Sequence, residues 1–268
     1  MKPLSSFPAS DRDGIKVVLT DIDDTLTTDG NLTAAAYTAL ESLHNAGFGV
    51  VPITGRPAGW CDHIARMWPV DGVVGENGAF YFRYDREKRV MEQHYSLSDD
   101  VRLKNTQRLD AIRARVLAEV PGAAVASDQA YRVADLAIDF CEDVPSLSDE
   151  DITRIVSIFE EAGAIAKISS IHVNGWFGKY DKLTMSSTFL NQCFGLDVDR
   201  DEDRRSIVYV GDSPNDAPMF GFFPHGVGVA NIMNFVGRLD AEPTYVTDAS
   251  DGGGFVEVAQ LLLDGRNQ

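Results

Sequence analysis

The sequence predicts an α/β fold, a doubly wound parallel sheet whose chain is interrupted by a smaller α+β unit. Three observations carry that reading. Short apolar runs alternate with helical periodicity near both ends of the chain, the pattern of parallel strands buried on both faces. Several of those runs stop at Asp, Thr or Gly, as expected at the carboxyl ends of strands, where open α/β sheets place ligands. Between about Phe82 and Trp176 the pattern changes, and parallel signals resume only afterwards.

Taken in order, Lys16-Val17-Val18-Leu19-Thr20 is an apolar run that ends in aspartates, a buried first strand. Thr33 is placed to cap a helix with Ala36, Leu40 and Leu43 on one face, and Gly47 stops it. Phe48 to Ile53 reads as a strand, Pro57 opens a helix, and Val70 to Gly75 forms a third strand. A charged turn, Tyr84 to Arg89, begins the altered region. There the chain predicts a helix near Val101 to Val120, a strand near Arg132 to Cys141, a helix near Asp149 to Ala162 capped by Ser148, and a strand near Ala164 to Val173. The first of these strands alternates, with Ala137 and Ile138 breaking the rhythm, which implies an antiparallel sheet covered on one side only. Lys182 then opens a helix to Gly195, Ser206 to Val210 is a strand, Pro214 to Phe220 a helix, Gly226 to Ala230 a strand, and Gly254 to Leu263 a closing helix. The expected organisation is core at 1–82, insert at 83–176 and core again at 177–268.

The 268 residues are 44% hydrophobic, enough for a sizeable core, and 24% charged, which excludes a disordered chain. With 41 acidic against 24 basic residues the net charge is −17, a balance that repels nucleic acids and anionic bilayers. No apolar stretch approaches the roughly 20 residues of a bilayer span, and the first residues lack the apolar centre of a signal peptide. A cytoplasmic location is expected. Cys61, Cys141 and Cys193 are distant from one another and odd in number, which suits reduced thiols better than disulfides or a zinc site.

The chemistry concentrates at strand ends. In Asp21-Ile22-Asp23-Asp24-Thr25 the residues two apart point the same way, so Asp21 and Asp23 face one site. Carboxylates that close together call for a cation between them or for acid/base work, and an oxygen-rich site of this kind favours Mg²⁺. Ile53-Thr54-Gly55-Arg56-Pro57 offers a hydroxyl and free N–H groups at a helix start, a seat for an anion. Gly211-Asp212-Ser213-Pro214-Asn215-Asp216 brings two more acids and an amide to the same edge. Lys182 begins a helix, where a cation opposes the helix dipole, so it has another purpose. No GxxxxGK[ST] phosphate loop is present.

As a set, DIDDT, ITGRP, a lysine and GDSPND in this order resemble the haloacid dehalogenase superfamily of phosphohydrolases. The insert's position, together with VGENGA and the segments GVGVAN and GGGF, is similar to the branch of Cof-type and sucrose-phosphate phosphatases, with a cap over a Rossmann-like core. The resemblance implies a Mg²⁺-dependent phosphatase of a small phosphomonoester, most simply a phosphosugar. Asp21 would be the nucleophile and Asp23 the acid/base; Asp21, Asp23 through its main-chain carbonyl, and Asp212 would hold the metal, with Asp216 close behind them. Thr54, Gly55, Arg56 and Asn77 would bind substrate, a structural ion pair being the alternative for Arg56, and Asn215 would orient the nucleophile or a phosphate oxygen. Lys182 would balance the charge, a role for which Lys179 is the competitor. Asp24 stands where this branch often has glycine. The alternatives are a phosphomutase or phosphotransferase on phosphosugars, and a phosphosugar-binding protein without turnover. A small phosphorylated substrate is the expected partner, with no nucleic acid and no membrane, and the protein is expected as a monomer or homodimer.

Overall fold

The computed structural model describes residues 1–169 and 171–266. Its centre is a parallel sheet of six strands, in the spatial order Lys2–Pro3, Tyr245–Val246, His225–Gly228, Ile207–Gly211, Val17–Thr20 and Gly49–Pro52. Alternate residues of one strand serve opposite layers. Val18 packs with the helices Ala34–Asn45, Ala58–Met67 and Asp251–Arg266, while Val17 and Leu19 pack with the helix Lys182–Phe194 and with Met219 and Phe220 of Ala217–Phe222. This is the doubly wound arrangement, and it explains why the strands read as unbroken apolar runs. Thr33 caps its helix by accepting the Ala36 N–H, as Ser148 does for Asp151.

Ile53 bridges in parallel to Val74 and so joins the main sheet to the strand Val73–Gly75. That strand heads an antiparallel sheet of three with Phe80–Asp85 and Val90–Tyr95. Residues on both sides of position 82 thus belong to one hairpin, and Phe80, Phe82, Met91 and Tyr95 all pack into the core layer.

A four-stranded antiparallel sheet follows, ordered Ala124–Val125, Asp135–Asp139, His172–Trp176 and Ile165–Ile168. The single strand expected near Ala164 to Val173 is therefore a hairpin of two. Helices Asp99–Glu119 and Asp149–Glu161 cover one face through Leu109, Ile112, Val116, Ile155 and Phe159 against Leu136, Ile138 and Val173. The opposite face was expected to be open, yet every residue of the two central strands is buried. Polar Asp135, Asp139, His172 and Asn174 are hidden there; Asp135 is tied to the core through Glu76, and His172 and Asn174 line the cleft between insert and core. Alternation marked the right residues, but docking onto the core supplies the second cover.

The insert leaves and returns beside one turn. Ser96 donates its N–H to the Ala79 carbonyl at 2.8 Å and its hydroxyl to the Gly78 carbonyl at 2.8 Å. On the return side, a Cβ on Gly78 would lie 2.0 Å from the Asp181 carbonyl oxygen, and Gly78 has φ +104°, so only glycine fits. The turn Glu76–Gly78 thus abuts the first residue of the Lys182 helix. Among the described residues no helix is long and apolar enough to cross a membrane.

Candidate active site

Three of the four expected chain segments meet at the carboxyl edge of two adjacent inner strands. Asp21 follows the strand Val17–Thr20 and Asp212 follows Ile207–Gly211, while the helix Lys182–Phe194 presents its first residue to both. Lys182 is buried, and its Nζ donates to Asp21 Oδ1 at 2.8 Å, to Asp216 Oδ1 at 2.7 Å and to Asn215 Oδ1 at 3.4 Å. Lys179 is exposed. A cation at a helix start is explained by these partners.

Asp216 is fully occupied with support. Its Oδ1 accepts Lys182 and the Tyr209 hydroxyl, the latter at 2.5 Å, and its Oδ2 accepts the N–H groups of Asp212 and Ser213 at 3.1 and 3.2 Å. Asp212 accepts the Thr25 hydroxyl at 3.3 Å and the Asn231 amide at 3.2 Å, and Asn231 also donates to the Asp24 carbonyl at 2.8 Å. Asp24 has φ +55°, a left-handed conformation that Asp tolerates better than most side chains, which accounts for a position where glycine is common in the resembling branch.

Carboxylate oxygens of Asp21, Asp212 and Asp216 lie within 4.8 Å of one another, all buried, and one ammonium is not enough to neutralise them. Burial, with Asp216 and Asp23 adding to it against the pull of Lys182, pushes Asp21 up to about 8. Burial and then Asp216 and Asp21 likewise push Asp212 well above the carboxylate range. Burial alone would discharge Lys182, but Asp21 and Asp216 outweigh it and hold the ammonium above its ordinary value. An oxygen-only, anion-rich set of this kind fits a hard divalent cation, with Asp21 and Asp212 as the carboxylates that keep capacity to coordinate.

Asp23 reaches the same cleft but sits outside that cluster. Arg56 Nε donates to its two oxygens at 2.9 and 3.1 Å, and Arg56 also meets Glu142 of the insert at 2.8 Å. Glu142 in turn lies 2.9 Å from His172 Nε2; the hydrogen bond from His172, ahead of that from Arg56, holds Glu142 down at about 2. The Thr54 hydroxyl, fully buried, accepts the Arg56 N–H at 3.0 Å and shapes the turn, while the Gly55 carbonyl accepts Arg132 Nη1 at 2.9 Å. Asn77 lies beneath that turn: its N–H donates to the Thr54 carbonyl at 3.0 Å, and a Cβ on Gly55 would come within 3.2 Å of its amide.

Two groups at the seam escaped the sequence reading in this role. Glu76 is completely buried and accepts N–H groups from Ala58 of the core and from Val133, Ala134 and Asp135 of the insert, at 2.7 to 3.2 Å. Arg132, equally buried, links Asp128 and Asp135 to the core. With the insert so docked, the cleft over Asp21, Asp23, Arg132 and Asn174 retains only about 20 Å³, room for about one water molecule.

A buried acid held by a lysine at the edge of a parallel sheet, beneath an inserted unit, is an arrangement suited to phosphoryl chemistry. The family model of haloacid dehalogenase-like hydrolases matches residues 18–114. The phosphoglycolate phosphatase of Methanopyrus kandleri is 26% identical over 253 residues, covering 92% of this chain and 97% of that protein. A Thermoplasma acidophilum protein of solved structure superposes with a TM-score of 0.69 at 19% identity, covering 92% of this chain and 98% of its own. The sucrose-phosphatase of Synechocystis sp. PCC6803, solved with sucrose and phosphate, shares the fold at a TM-score of 0.62 and 16% identity, with coverage of 92% and 97%. Over residues 18–114 the chain is similar to haloacid dehalogenase-like hydrolases, and its likeness to a phosphatase along nearly its whole length supports a phosphoric monoester hydrolase.

Proposed function

We propose that the chain is a Mg²⁺-dependent phosphatase that hydrolyses a small phosphomonoester, a sugar phosphate in the first instance, through an aspartyl-phosphate on Asp21. The observation that carries this reading is the buried Asp21 carboxylate, held 2.8 Å from Lys182 at the end of a central strand. An Asp21 oxygen attacks phosphorus while the bond to the ester oxygen breaks, and Asp23 gives its proton to that leaving oxygen. In the second step water attacks the same phosphorus, Asp23 takes the water proton, and Asp21 and inorganic phosphate are released. Asp21 and Asp212, with the Asp23 main-chain carbonyl, would hold Mg²⁺, which supplies charge neutralisation to the phosphoryl oxygens and keeps Asp21 ionised. Lys182 and the turn at Thr54 and Gly55 add fixed positive potential, Asn215 orients the Lys182 end of the site, and Asp216 braces it.

The proposed division is a catalytic core of 1–82 and 177–268 with the insert at 83–176, of which the hairpin up to Tyr95 moves with the core. Because the docked cleft holds about one water, the insert must swing away to admit substrate and product. Free cysteines and an acidic surface suit a reducing cytoplasm.

The test uses p-nitrophenyl phosphate. Purified protein with Mg²⁺ should release p-nitrophenol, EDTA should stop it, and Asp21→Asn should be inactive while keeping its circular dichroism spectrum. Equal rates with and without chelator, or an active Asp21→Asn, would overturn the reading. A panel of phosphosugars and 2-phosphoglycolate, ranked by kcat/KM, assigns the substrate.

A further inference from the structure

Asn231 stands in the turn Ala230–Phe235, just after the strand His225–Gly228, outside the four segments that bring chemistry to the site. Its side chain nevertheless joins three of the elements around them. Nδ2 donates to the Asp24 carbonyl at 2.8 Å and to Asp212 Oδ2 at 3.2 Å. Oδ1 accepts the N–H of Asp251, the first residue of the helix Asp251–Arg266, at 3.0 Å. Two acceptors on one side and a main-chain donor on the other fix the sense of the amide: turned over, its oxygen would face a carbonyl and a carboxylate, and its NH₂ would face an N–H. Aspartate here would set a further anion against Asp212, and leucine would leave all three partners unanswered. The far end of the link is anchored as well. Gly252 donates its N–H to the Thr27 carbonyl at 3.3 Å, and a Cβ on Gly252 would lie 2.8 Å from the Leu26 carbonyl oxygen, so the helix start is pressed against the segment that follows Asp24.

We propose that Asn231 is a positioning residue that sets the spacing between the loop of Asp23 and Asp24 and the carboxylate of Asp212, and thereby the affinity of the site for Mg²⁺. The inference rests on the reading of Asp21, Asp212 and the Asp23 main-chain carbonyl as the groups that hold the metal. The Asp24 carbonyl lies one peptide beyond that of Asp23, so the amide that grips the one restrains the chain that presents the other. Its second N–H grips Asp212, and a single NH₂ group thus bridges the two loops that have to converge on one ion. The Thr25 hydroxyl supplies a longer link from the same loop, 3.3 Å to Asp212 Oδ1. Both donors are neutral, so they orient the Asp212 carboxylate and leave its charge for a cation, whereas Asp216 already meets the Lys182 ammonium. Without Asn231 the oxygen donors remain but are no longer held in mutual alignment, and the loss of such an outer hydrogen bond to a metal-binding carboxylate typically weakens metal binding about 10–100-fold.

The experiment follows thermal melting of wild type, Asn231→Ala and Asn231→Ser against the concentration of MgCl₂. Serine keeps a polar side chain but is too short to span both acceptors, and it carries the test should the alanine protein not fold. Each protein is compared with its own Mg²⁺-free Tm, so that the loss of the Asp251 bond, which weakens the fold as a whole, drops out. The Mg²⁺ concentration that produces a given rise in Tm should be at least about tenfold higher in the variants than in wild type. With p-nitrophenyl phosphate the Mg²⁺ concentration for half-maximal rate should move in the same direction, and excess Mg²⁺ should restore most of the rate with little change in KM for the ester. A general loosening of the fold does not produce that pattern. The same Mg²⁺ requirement in wild type and variants, however far their Mg²⁺-free Tm has fallen, overturns the inference and leaves Asn231 a purely structural support. A wild-type Tm that does not respond to Mg²⁺ at all refutes the metal reading itself, and the inference with it.

Discussion

Replacing Glu76 by alanine removes the one acceptor shared by Ala58 in the core and by Val133, Ala134 and Asp135 in the insert. The bonds to Ala58 and Asp135 are buried, whereas Val133 and Ala134 are partly reached by solvent. An orphaned buried donor costs about 1–3 kcal/mol, so two of them cost about 4 kcal/mol, and water offsets most of the loss at the other two. Partial relaxation around the shortened side chain returns part of this, which leaves a net loss of about 3 kcal/mol and a fall in Tm of about 6–12 °C for a chain of this size. Scanning calorimetry at pH 7 reads it directly. Burial first, then Asp135, pushes Glu76 up to about 8 from an ordinary 4.5, against the pull of Arg132. The folded state therefore binds the proton more tightly than the unfolded one, and this contribution to stability is full below about 4.5 and declines as pH rises through about 8. Wild type should melt higher at pH 5.5 than at pH 8.5, and Glu76→Gln should flatten that difference. Asp21, also raised to about 8, leaves a residual slope of the same sign. A Glu76→Ala protein that melts within about 2 °C of wild type would refute the reasoning, because that shift is under 1 kcal/mol.

Lys182→Met should lower kcat at least about a hundredfold with a smaller change in KM, since it removes a fixed charge aimed at the reacting centre; steady-state kinetics with Mg²⁺ measure it. Glu142 is held down at about 2, so its stabilising contribution is present above 4.5 and disappears as pH falls through about 2. Acid unfolding followed by tryptophan fluorescence should therefore show a shallower loss of stability between those values in Glu142→Gln than in wild type.

The parallel core was legible because it is local physics repeated. Val17 to Thr20 is buried on both faces and reads as an apolar run, and its end is where Asp21 must emerge. Asp21, Thr54 and Asp212 were read from strand ends and Lys182 from a cation at a helix start, while the cap hydrogen bonds of Thr33 and Ser148 followed from spacing. The seam was not legible. Glu142 meets Arg56 across 86 positions of sequence and Val133 meets Glu76 across 57, and no periodicity records which loop faces which turn. The same gap explains the insert sheet: the broken alternation from Asp135 to Asp139 implied one covered face, but the polar face is buried by a partner that lies elsewhere in the chain. Asp23 was placed beside Asp21 by the two-residue rule, while its pairing with Arg56 comes from the turn that begins once the strand has ended.

The turn at Gly78 and Ala79 receives the outgoing chain of the insert through Ser96 and abuts the returning chain through Asp181, so both connections to the roof pass one bracket. Whatever is suspended there can be lengthened, shortened or exchanged without redrawing the path of the catalytic lysine one residue further on. A chimera that grafts another roof between Ser96 and Asp181 would keep the path of this floor, provided the graft again supplies partners to Arg56 and Glu76.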